Sequence, residues 1–340
     1  MVALLTFAVI LVGTLPSFAQ SDSLSNPISF VVDTIIVSGN EKTKTYVILD
    51  EMTIRPGDSV TAELIEFDKN RIYSLGLFTR VEIFADTLAG KRFLFVEVNE
   101  RWYLIPLILV GFRDGDPKKP YYGGGLLVSN FRGRNQRLFG TLVFGHNPSL
   151  GFGFSDPLLS RNPHLYFSGN LSYSRIRNRS AIESALTGDF DEDHYDISAT
   201  LGHRHNLFES TAFTGGFTIV KVGNYRPGRT ASPTGRDAFI NASVSYTRDS
   251  RDLREYPTQG SFVNLYLTKN GFGESALNFT RFGADLRKYV PLPLDFTLAG
   301  RAYGTVVSGS IIPTYSRSYF GYGERIRGYF RNVFEGENLA

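Results

Sequence analysis

The residues of this sequence that could do chemistry include an arginine near its end, in the string GYGERIRGY at positions 321–329. Arg327 carries a permanent charge on a planar fork of donors, which can hold a carboxylate through two parallel hydrogen bonds. Gly328 permits a tight backbone bend, and Tyr329 offers an aromatic face for packing. The predicted chemistry is the anchoring of a loop on an acidic wall; the alternative is a solvated loop arginine.

The other reactive residue types do not form a catalytic or metal-binding constellation. His203 and His205 stand two apart on one predicted strand, without a third ligand at metal spacing. The acidic loop at 189–193 lacks the ligand order of a calcium loop, and Gly321 and Gly323 lack the third glycine of a dinucleotide loop. The sequence contains no cysteine, which excludes thiol catalysis. We therefore predict no enzyme, no metal site and no cofactor.

The charge and the N-terminus indicate an exported protein. The net charge of +3 and the absence of a basic run argue against nucleic acid as a partner. Residues 1–15 are almost wholly apolar, and Ser17 and Ala19 stand at the small-residue positions of a cleavage site. We expect a signal peptide over residues 1–19, with a true start upstream because the usual basic segment is missing. A buried core helix is the alternative.

Residues 28–100 predict a small mixed domain with the order β-α-α-β-β. Its elements are a strand at Phe30–Val37, helices at 43–52 and 62–75, and strands at Thr79–Phe84 and Arg92–Val98. With "VSGNEKT", "RPGDSV" and "IYSLGLFTRVEI" in this order, the segment resembles a POTRA domain. The resemblance implies a periplasmic domain that holds extended client segments on a sheet edge, here formed by Thr79, Arg80, Val81, Glu82, Ile83 and Phe84. A rigid spacer is the alternative.

After Glu100 the period of the apolar residues changes to two. Eleven strands are predicted, near 104–112, 120–129, 136–146, 149–155, 163–174, 194–204, 210–222, 236–247, 260–269, 276–289 and 294–307. One face is apolar and the other carries charge, which suits either a soluble sandwich or a membrane barrel. Windows of about 9–12 residues, short turns such as Asp156–Asn162 that alternate with longer polar loops, and Trp102 at the entry favour an outer-membrane barrel.

Two strings resemble one family, the BamA/TamA-type superfamily of outer-membrane assembly and translocation proteins. The first string is "YTRDSRDLREYPTQGSF" at 246–262, which supplies a predicted tight turn with Arg248, Asp249, Asp252, Pro257 and Gly260. The second supplies Gly321, Gly323, Ile326, Arg327, Gly328 and Tyr329. Family members have periplasmic POTRA domains and a 16-stranded barrel, with a (Val/Ile)-Arg-Gly-(Phe/Tyr) motif on extracellular loop 6 between strands 11 and 12. Here the motif follows the eleventh predicted strand.

The resemblance implies a transmembrane antiparallel β-barrel of 16 strands that is incomplete in this sequence. We expect a signal peptide at 1–19, one POTRA domain at 28–100 and a barrel at 101–340 that lacks about five C-terminal strands. The acidic partners of Arg327 are then absent as well, although Asp196, Asp285 and Asp295 face the predicted lumen.

The function implied is that of a non-enzymatic factor that inserts β-barrel proteins into the outer membrane. The implied location is the outer membrane, with the POTRA domain in the periplasm. The partners would be unfolded outer-membrane proteins or exported polypeptides, outer-membrane lipid and the accessory lipoproteins of a BAM-type complex. A polypeptide transporter that secretes one cargo through its barrel is an alternative. A passive porin is a weaker alternative, since a porin needs no periplasmic receiver.

Overall fold

A computed structural model describes residues 30–272, 277–309, 311–320 and 334–338. The signal peptide predicted at 1–19 and the loop motif at 321–329 lie outside the described residues. Within those ranges, no helix combines the length and the apolar character that a membrane crossing requires.

The N-terminal domain is a three-stranded sheet with two helices on one face. Its elements are β1 (Phe30–Val31), β2 (Thr34–Ser38), α1 (Thr45–Leu49), β3 (Ser59–Val60), α2 (Ala62–Tyr73), β4 (Phe78–Leu88) and β5 (Lys91–Glu100). The strand order is β2-β5-β4, with β2 parallel and β4 antiparallel to the central β5. The Thr61 hydroxyl accepts a hydrogen bond from the Leu64 N–H and so caps the start of α2.

Alternation along the two long strands builds the core of this domain. Val81 and Ile83 of β4 lie beside Val96 and Val98 of β5, and all four are buried under the helices. The helices contribute further buried side chains, namely Val47, Ile48 and Ile72. The domain therefore has its own apolar core, as an independent folding unit requires.

Three details of the predicted domain are wrong. The strand expected over Phe30–Val37 is divided into β1 and β2, because Asp33 turns the chain and donates its N–H to the Arg92 carbonyl. No strand is predicted between the two helices, but Ser59–Val60 forms β3, which pairs with β1. The first helix is shorter than predicted, because the Thr43 N–H is bound by the Glu100 carboxylate instead of entering a helix.

A single antiparallel sheet of eleven strands follows, and the predicted number of strands is confirmed. The strands are β6 (Leu104–Phe112), β7 (Pro120–Phe131), β8 (Gln136–Gly145), β9 (Ser149–Arg161), β10 (His164–Arg177), β11 (Asp191–Arg204), β12 (Glu209–Val222), β13 (Arg236–Asp249), β14 (Gly260–Phe272), β15 (Phe279–Pro291) and β16 (Thr297–Gly309). Each strand pairs with the next along the chain. In the described part of the chain, β6 pairs only with β7, and β16 only with β15.

The apolar face of this sheet is bare. Leu171 is 56% exposed and Ile197 55% exposed, whereas the charged Asp156 and Asp285 on the opposite face are buried. A soluble sandwich would cover its apolar face with a second large sheet, and the described residues contain none. This pattern is that of a transmembrane barrel wall, with the apolar side chains turned outward and a polar interior.

Connections differ at the two ends of the wall. At the near end, where β6 leaves the N-terminal domain, most connections are short; at the far end the loops 178–190 and 223–235 are long. The first of these contains α3 (Ala181–Thr187). A small pair formed by β17 (Ser318–Phe320) and β18 (Phe334–Gly336) also lies beyond the far end of β16.

Two predicted turns and the predicted strand position of Asp295 are wrong. The segment Asp156–Asn162 is mostly strand, because a bulge lets β9 continue past Pro157 to Arg161. Asp295 lies in the turn before β16 with φ +58°, not on the inner face of a strand. The connection at 250–259 spans ten residues between β13 and β14, so it is a loop and not a tight turn.

Candidate functional site at the junction of the N-terminal domain and the barrel wall

Glu51 joins the N-terminal domain to the near end of the wall. Its buried carboxylate lies 2.7 Å from Arg71 Nη2, 2.9 Å from Arg204 Nη1 and 3.9 Å from Arg254 Nη2. Arg71 belongs to α2, Arg204 ends β11, and Arg254 lies in the loop between β13 and β14. One carboxylate therefore connects the domain to two separate parts of the wall.

The surroundings of Arg71 reinforce this contact. Its Nη2 also donates to the Leu207 carbonyl at 3.0 Å, and its guanidinium lies 5.2 Å from the ring centre of Phe208 and 5.8 Å from that of Phe67. Burial lowers the pKa of Arg71, and the nearby Glu51 carboxylate opposes that shift. Removal of Glu51 would leave a buried cation without its main counter-charge, which is costly.

Thr43 is the centre of a second contact. The Glu100 carboxylate accepts from the Thr43 N–H at 2.6 Å and from its hydroxyl at 2.5 Å. Asn130 Nδ2, at the end of β7, donates to the same hydroxyl at 2.8 Å. Burial opposes ionisation of Glu100, but the hydrogen bonds from Thr43 and Lys42 outweigh it and lower the pKa of this carboxyl.

Gly133 brings the turn between β7 and β8 against the domain. Its carbonyl accepts from the Lys44 N–H at 2.8 Å. The residue has φ +70°, and a Cβ built on it would lie 2.0 Å from the Lys42 carbonyl oxygen. Only glycine meets both requirements, so the close approach depends on this residue.

Further ion pairs and hydrogen bonds extend the junction along the near end. Asp50 binds Arg161 through two bonds of 2.9 Å, and the Arg161 guanidinium lies 4.9 Å from the ring centre of Tyr46. Arg137 Nη2 donates to the Leu75 carbonyl at 3.1 Å. The domain therefore contacts strands and connections from β7 to the loop after β13.

A cavity of about 570 Å³ lies between the domain and the inner face of the wall. Charged residues of both units line it, namely Glu51, Asp156, Arg204, Glu209, Asp249 and Arg254. The domain therefore borders a charged cavity at the near end of the wall.

The inner face of the last described strands carries a compact charged cluster. Arg287 and Arg301 stand directly opposite each other on β15 and β16. Asp285 lies between them, with its Oδ2 at 2.6 Å from Arg287 Nη2 and 3.0 Å from Arg301 Nη2. The Arg287 guanidinium also lies 5.0 Å from the ring centre of Phe262. The wall is thus polar and charged on this side.

Side chains from several far-end segments of the wall contact one another. Arg229 is buried, with its guanidinium 3.6 Å from the ring centre of Phe190 and its Nε 3.7 Å from Glu183. The Asp237 carboxylate accepts from the Tyr315 hydroxyl at 2.6 Å. The Thr314 N–H also donates to the Gly228 carbonyl at 3.0 Å, so the loops after β10, β12 and β16 are in contact with one another.

The residues predicted to form the client-binding edge of the N-terminal sheet lie in β4. Thr79, Arg80, Val81, Glu82, Ile83 and Phe84 all belong to this strand, which is an outer strand of its sheet. Within the described residues, β4 pairs with β5 alone. The role of this edge in client binding stays a prediction.

The residues predicted for the barrel turn surround the loop at 250–259. Arg248 pairs with Glu209 at 3.1 Å, and Asp249 pairs with Arg251 at 2.8 Å. Asp252 accepts from the Thr258 N–H and hydroxyl. Gly260 begins β14 with φ +103°, where a Cβ would lie 2.2 Å from the Ser250 carbonyl oxygen. Pro257 lies within the loop.

The junction residues Glu51, Arg71 and Arg204 are not among the residues predicted from the sequence, and Arg254 belongs to the predicted string at 246–262 without a role of its own. A signal was present, because Arg71 is a charged residue beside the apolar face of a predicted helix. Of the predicted lumen carboxylates, Asp285 holds two arginines, and Asp196 accepts from Thr218 Oγ1 at 2.8 Å.

The comparisons with known proteins agree with this architecture. A family model described as the Omp85 superfamily domain matches residues 130–337, and a POTRA model described as a surface antigen variable number repeat matches residues 30–101. The chain is 26% identical over 317 residues to the outer membrane protein assembly factor BamA of Nitratidesulfovibrio vulgaris, covering 88% of this chain and 37% of that protein. It thus spans little more than a third of that relative.

Two solved structures share the fold. The crystal structure of BamA from Haemophilus ducreyi lacking POTRA domains 1–3 gives a TM-score of 0.56 at 18% identity, covering 90% of this chain and 61% of that one. CdiB from Escherichia coli gives a TM-score of 0.59 at 14% identity, covering 91% and 60%. The chain belongs to the Omp85 superfamily, as an outer-membrane β-barrel protein whose POTRA domain lies in the periplasm.

Proposed function

We propose that this protein assembles β-barrel proteins in the outer membrane. The observation that carries the proposal is the outer edge of strand β4, which within the described residues pairs only with β5, in a POTRA domain that is joined to the near end of the barrel wall. The chain's similarity to an outer membrane protein assembly factor supports this function. The clients would be unfolded outer-membrane proteins.

The first step of the proposed mechanism takes place on β4. A strand edge presents unpaired N–H and C=O groups, which accept an extended segment with little sequence specificity. Because the Glu51 junction fixes the domain, a captured segment is held near the barrel. Only the residues Arg101–Tyr103 separate β5 from β6, the first barrel strand. We propose that β6 forms one side of a seam on which client strands pair next.

The loop 6 motif, the apolar outer face and the accessory lipoproteins have separate proposed roles. Arg327, outside the described residues, would pin loop 6 to a lumen carboxylate. Asp196 and Asp285 are the two predicted lumen carboxylates that lie on described strands, where Asp196 accepts from Thr218 and Asp285 holds two arginines. The apolar outer face would contact outer-membrane lipid, and accessory lipoproteins would bind on the periplasmic side. The proposed division remains a signal peptide at 1–19, a POTRA domain at 28–100 and a barrel at 101–340.

Reconstitution tests the proposal. The complete protein is inserted into liposomes, a urea-denatured outer-membrane barrel protein is added, and its folding is followed by its resistance to protease. We expect folding several-fold faster than in liposomes that contain an equal amount of a porin. Equal rates in the two preparations would contradict the assembly function.

A polypeptide transporter is the second candidate function. The polar inner wall with Asp285, Arg287 and Arg301 favours it, because a hydrated lumen can accommodate a polar chain. The ties of Arg229 and Asp237 across the far end argue against free passage, since they must open first. Protection of an added soluble polypeptide inside the same liposomes, without faster barrel folding, would support transport instead.

A further inference from the structure

The outer face of strands β10 to β13 changes from apolar to charged toward the far end of the wall. Three rows of residues cross these strands in register on that face. The first row is apolar and exposed, and its members are Leu171, Ile197, Phe217 and Ile240. The second row, two residues nearer the far end, is formed by Tyr173, Tyr195, Ile219 and Ala238. The third, which we call the charged row, lies two residues further and is formed by Arg175, Asp193, Lys221 and Arg236.

The charged row lies at the depth where lipid headgroups meet the wall. A strand rises by about 3.3 Å per residue, so the outer face passes from the apolar row to the charged row within roughly 13 Å. Aromatic rings and basic side chains favour the boundary between acyl chains and headgroups. Tyr173 and Tyr195, whose ring centres are 4.9 Å apart, stand directly beneath the charged row. Because the far end is opposite to the POTRA domain, these headgroups belong to the leaflet that faces away from the periplasm.

Asp193, the carboxylate of the charged row, is held by its neighbours on β10. It accepts from Arg175 Nε at 2.8 Å, from Arg175 Nη2 at 3.2 Å and from the Tyr173 hydroxyl at 3.0 Å. One residue pair further out, Arg177 stands opposite Asp191 and pairs with Asp189 at 3.3 Å. The acidic side chains of this corner therefore lie beside the arginines of β10, and the excess of positive charge lies on β12 and β13.

Lys221 and Arg236 carry this excess. They stand directly opposite each other on β12 and β13, and both are exposed. Lys221 Nζ lies 5.2 Å from the ring centre of Tyr195, and among the described residues neither cation forms a salt bridge with a carboxylate. Like charges that face each other across a strand pair are destabilising. An anion bound between them would offset this repulsion.

We propose that Lys221 and Arg236 bind the phosphate group of a membrane lipid whose acyl chains lie on the apolar row. A phosphate has the opposite charge and several acceptor oxygens, so the ammonium and the guanidinium can both donate charge-assisted hydrogen bonds to it. Ile219 and Phe217 follow Lys221 on the same face and supply an apolar surface for the chains. The inference holds for an assembly factor and for a transporter alike, because it concerns only the surface that faces lipid.

Native mass spectrometry of the complete protein, in micelles of a neutral detergent, measures this binding. Phosphatidic acid is compared with phosphatidylcholine that has the same acyl chains, because only the first has an uncapped phosphate group. One basic residue beside an anionic lipid contributes about fivefold in affinity. We therefore expect phosphatidic acid to bind at least about tenfold more tightly than phosphatidylcholine.

The site variant is Lys221→Gln combined with Arg236→Gln, and it should lose most of this preference. The matched control is Lys91→Gln combined with Arg92→Gln, which also removes one lysine and one arginine, both exposed at the start of β5 in the POTRA domain. The control should keep the preference. In micelles without added lipid, Lys221→Gln alone should melt no lower than the parent, since the substitution removes one of two opposed cations.

Three results would overturn the inference. Equal affinity of the parent protein for the two lipids would show that no phosphate is recognised. An equal loss of preference in the site variant and in the control would show that only net charge attracts the lipid. Complete displacement of phosphatidic acid by an excess of inorganic phosphate would show a site for the free anion instead of a lipid. Selective binding that the site variant alone loses, and that inorganic phosphate does not displace, supports the inference.

Discussion

The Glu51 carboxylate lies 2.7 Å from Arg71 Nη2 in its own domain and 2.9 Å from Arg204 Nη1 at the end of barrel strand β11. This buried carboxylate is therefore one of the contacts that orient the POTRA domain, and Phe67 and Phe208 pack beside it. Such a contact favours one orientation of the domain, because the buried Glu51 carboxylate and the buried Arg71 guanidinium must each keep a partner once water is excluded. It helps to hold β4, the proposed receiving edge, in place relative to the barrel wall.

Glu51→Gln should loosen the POTRA domain without unfolding it. The loss of one partner of a buried ion pair costs about 3–5 kcal/mol, because the other charges stay buried. Spin labels on cysteines placed at Glu63 and Glu255 report the distance between the domain and the loop after β13. We expect a narrow distance distribution in the parent protein and a broad one in the variant.

The matched control for this prediction is Glu66→Gln. Glu66 pairs with Lys69 at 3.6 Å on the surface of α2, where its side chain is 60% exposed. Exposed pairs contribute little, so this variant should keep the narrow distribution. A narrow distribution in Glu51→Gln as well would show that the junction does not depend on this carboxylate.

Acid should weaken the contact around Thr43. The pKa of Glu100 is lower in the folded protein than in the unfolded chain, so ionised Glu100 stabilises the fold above about pH 4.3, the ordinary glutamate value. This contribution disappears as the pH falls through the lowered pKa. Amide-exchange protection of Lys42 and Thr43 should therefore decrease below that range. In Glu100→Gln, protection should already be low at neutral pH and should lose this pH dependence, whereas Glu97→Gln should behave like the parent.

Gly133→Ala should break the contact between the turn after β7 and the POTRA domain. The added Cβ would meet the Lys42 carbonyl oxygen, in addition to the strain of a positive φ. Gly115→Ala is the control, because Gly115 also has a positive φ but nothing lies within 4 Å of the added atom. In both variants, the strain of an alanine at a positive φ costs about 1–2 kcal/mol. We expect protease to cut between domain and barrel faster in Gly133→Ala alone; equal cutting in both would refute the clash.

Asp285→Asn should destabilise the pairing of β15 with β16. Arg287 and Arg301 would then face each other without a counter-charge. Since both arginines are partly solvated, we expect a loss of about 1–3 kcal/mol in unfolding free energy, measured in urea. Arg301→Gln added to Asp285→Asn should recover part of it. If the double variant loses as much unfolding free energy as Asp285→Asn and Arg301→Gln lose together as single variants, the two side chains do not interact.

The barrel strands could be predicted from sequence because apolar and polar residues alternate within each strand. Leu171 and Ile197 show the apolar period within single windows, and a shift of one residue would invert the face. β3 carries only two residues and was missed, because so short a segment has no period. Asp295 is predicted on a strand face, but it lies in a turn. Both Asp295 and the preceding Leu294 have a positive φ, which the residue types alone do not indicate.

The junction could not be predicted in the same way. Glu51 meets Arg71 across 20 residues and Arg204 across 153, so no local spacing connects them. The packing of two separately folded units decides which charges become buried. Gly133 illustrates the same limit, because the Lys42 carbonyl that requires a glycine belongs to the other domain.

The central claim, assembly of outer-membrane proteins, is tested most directly by depletion. The protein is placed under a repressible promoter, and the abundance of every outer-membrane protein is quantified by mass spectrometry as it disappears. The account predicts a broad fall in barrel proteins, with unfolded forms accumulating in the periplasm. An unchanged set of barrel proteins, with the loss of a single secreted polypeptide, would contradict it and establish a transporter.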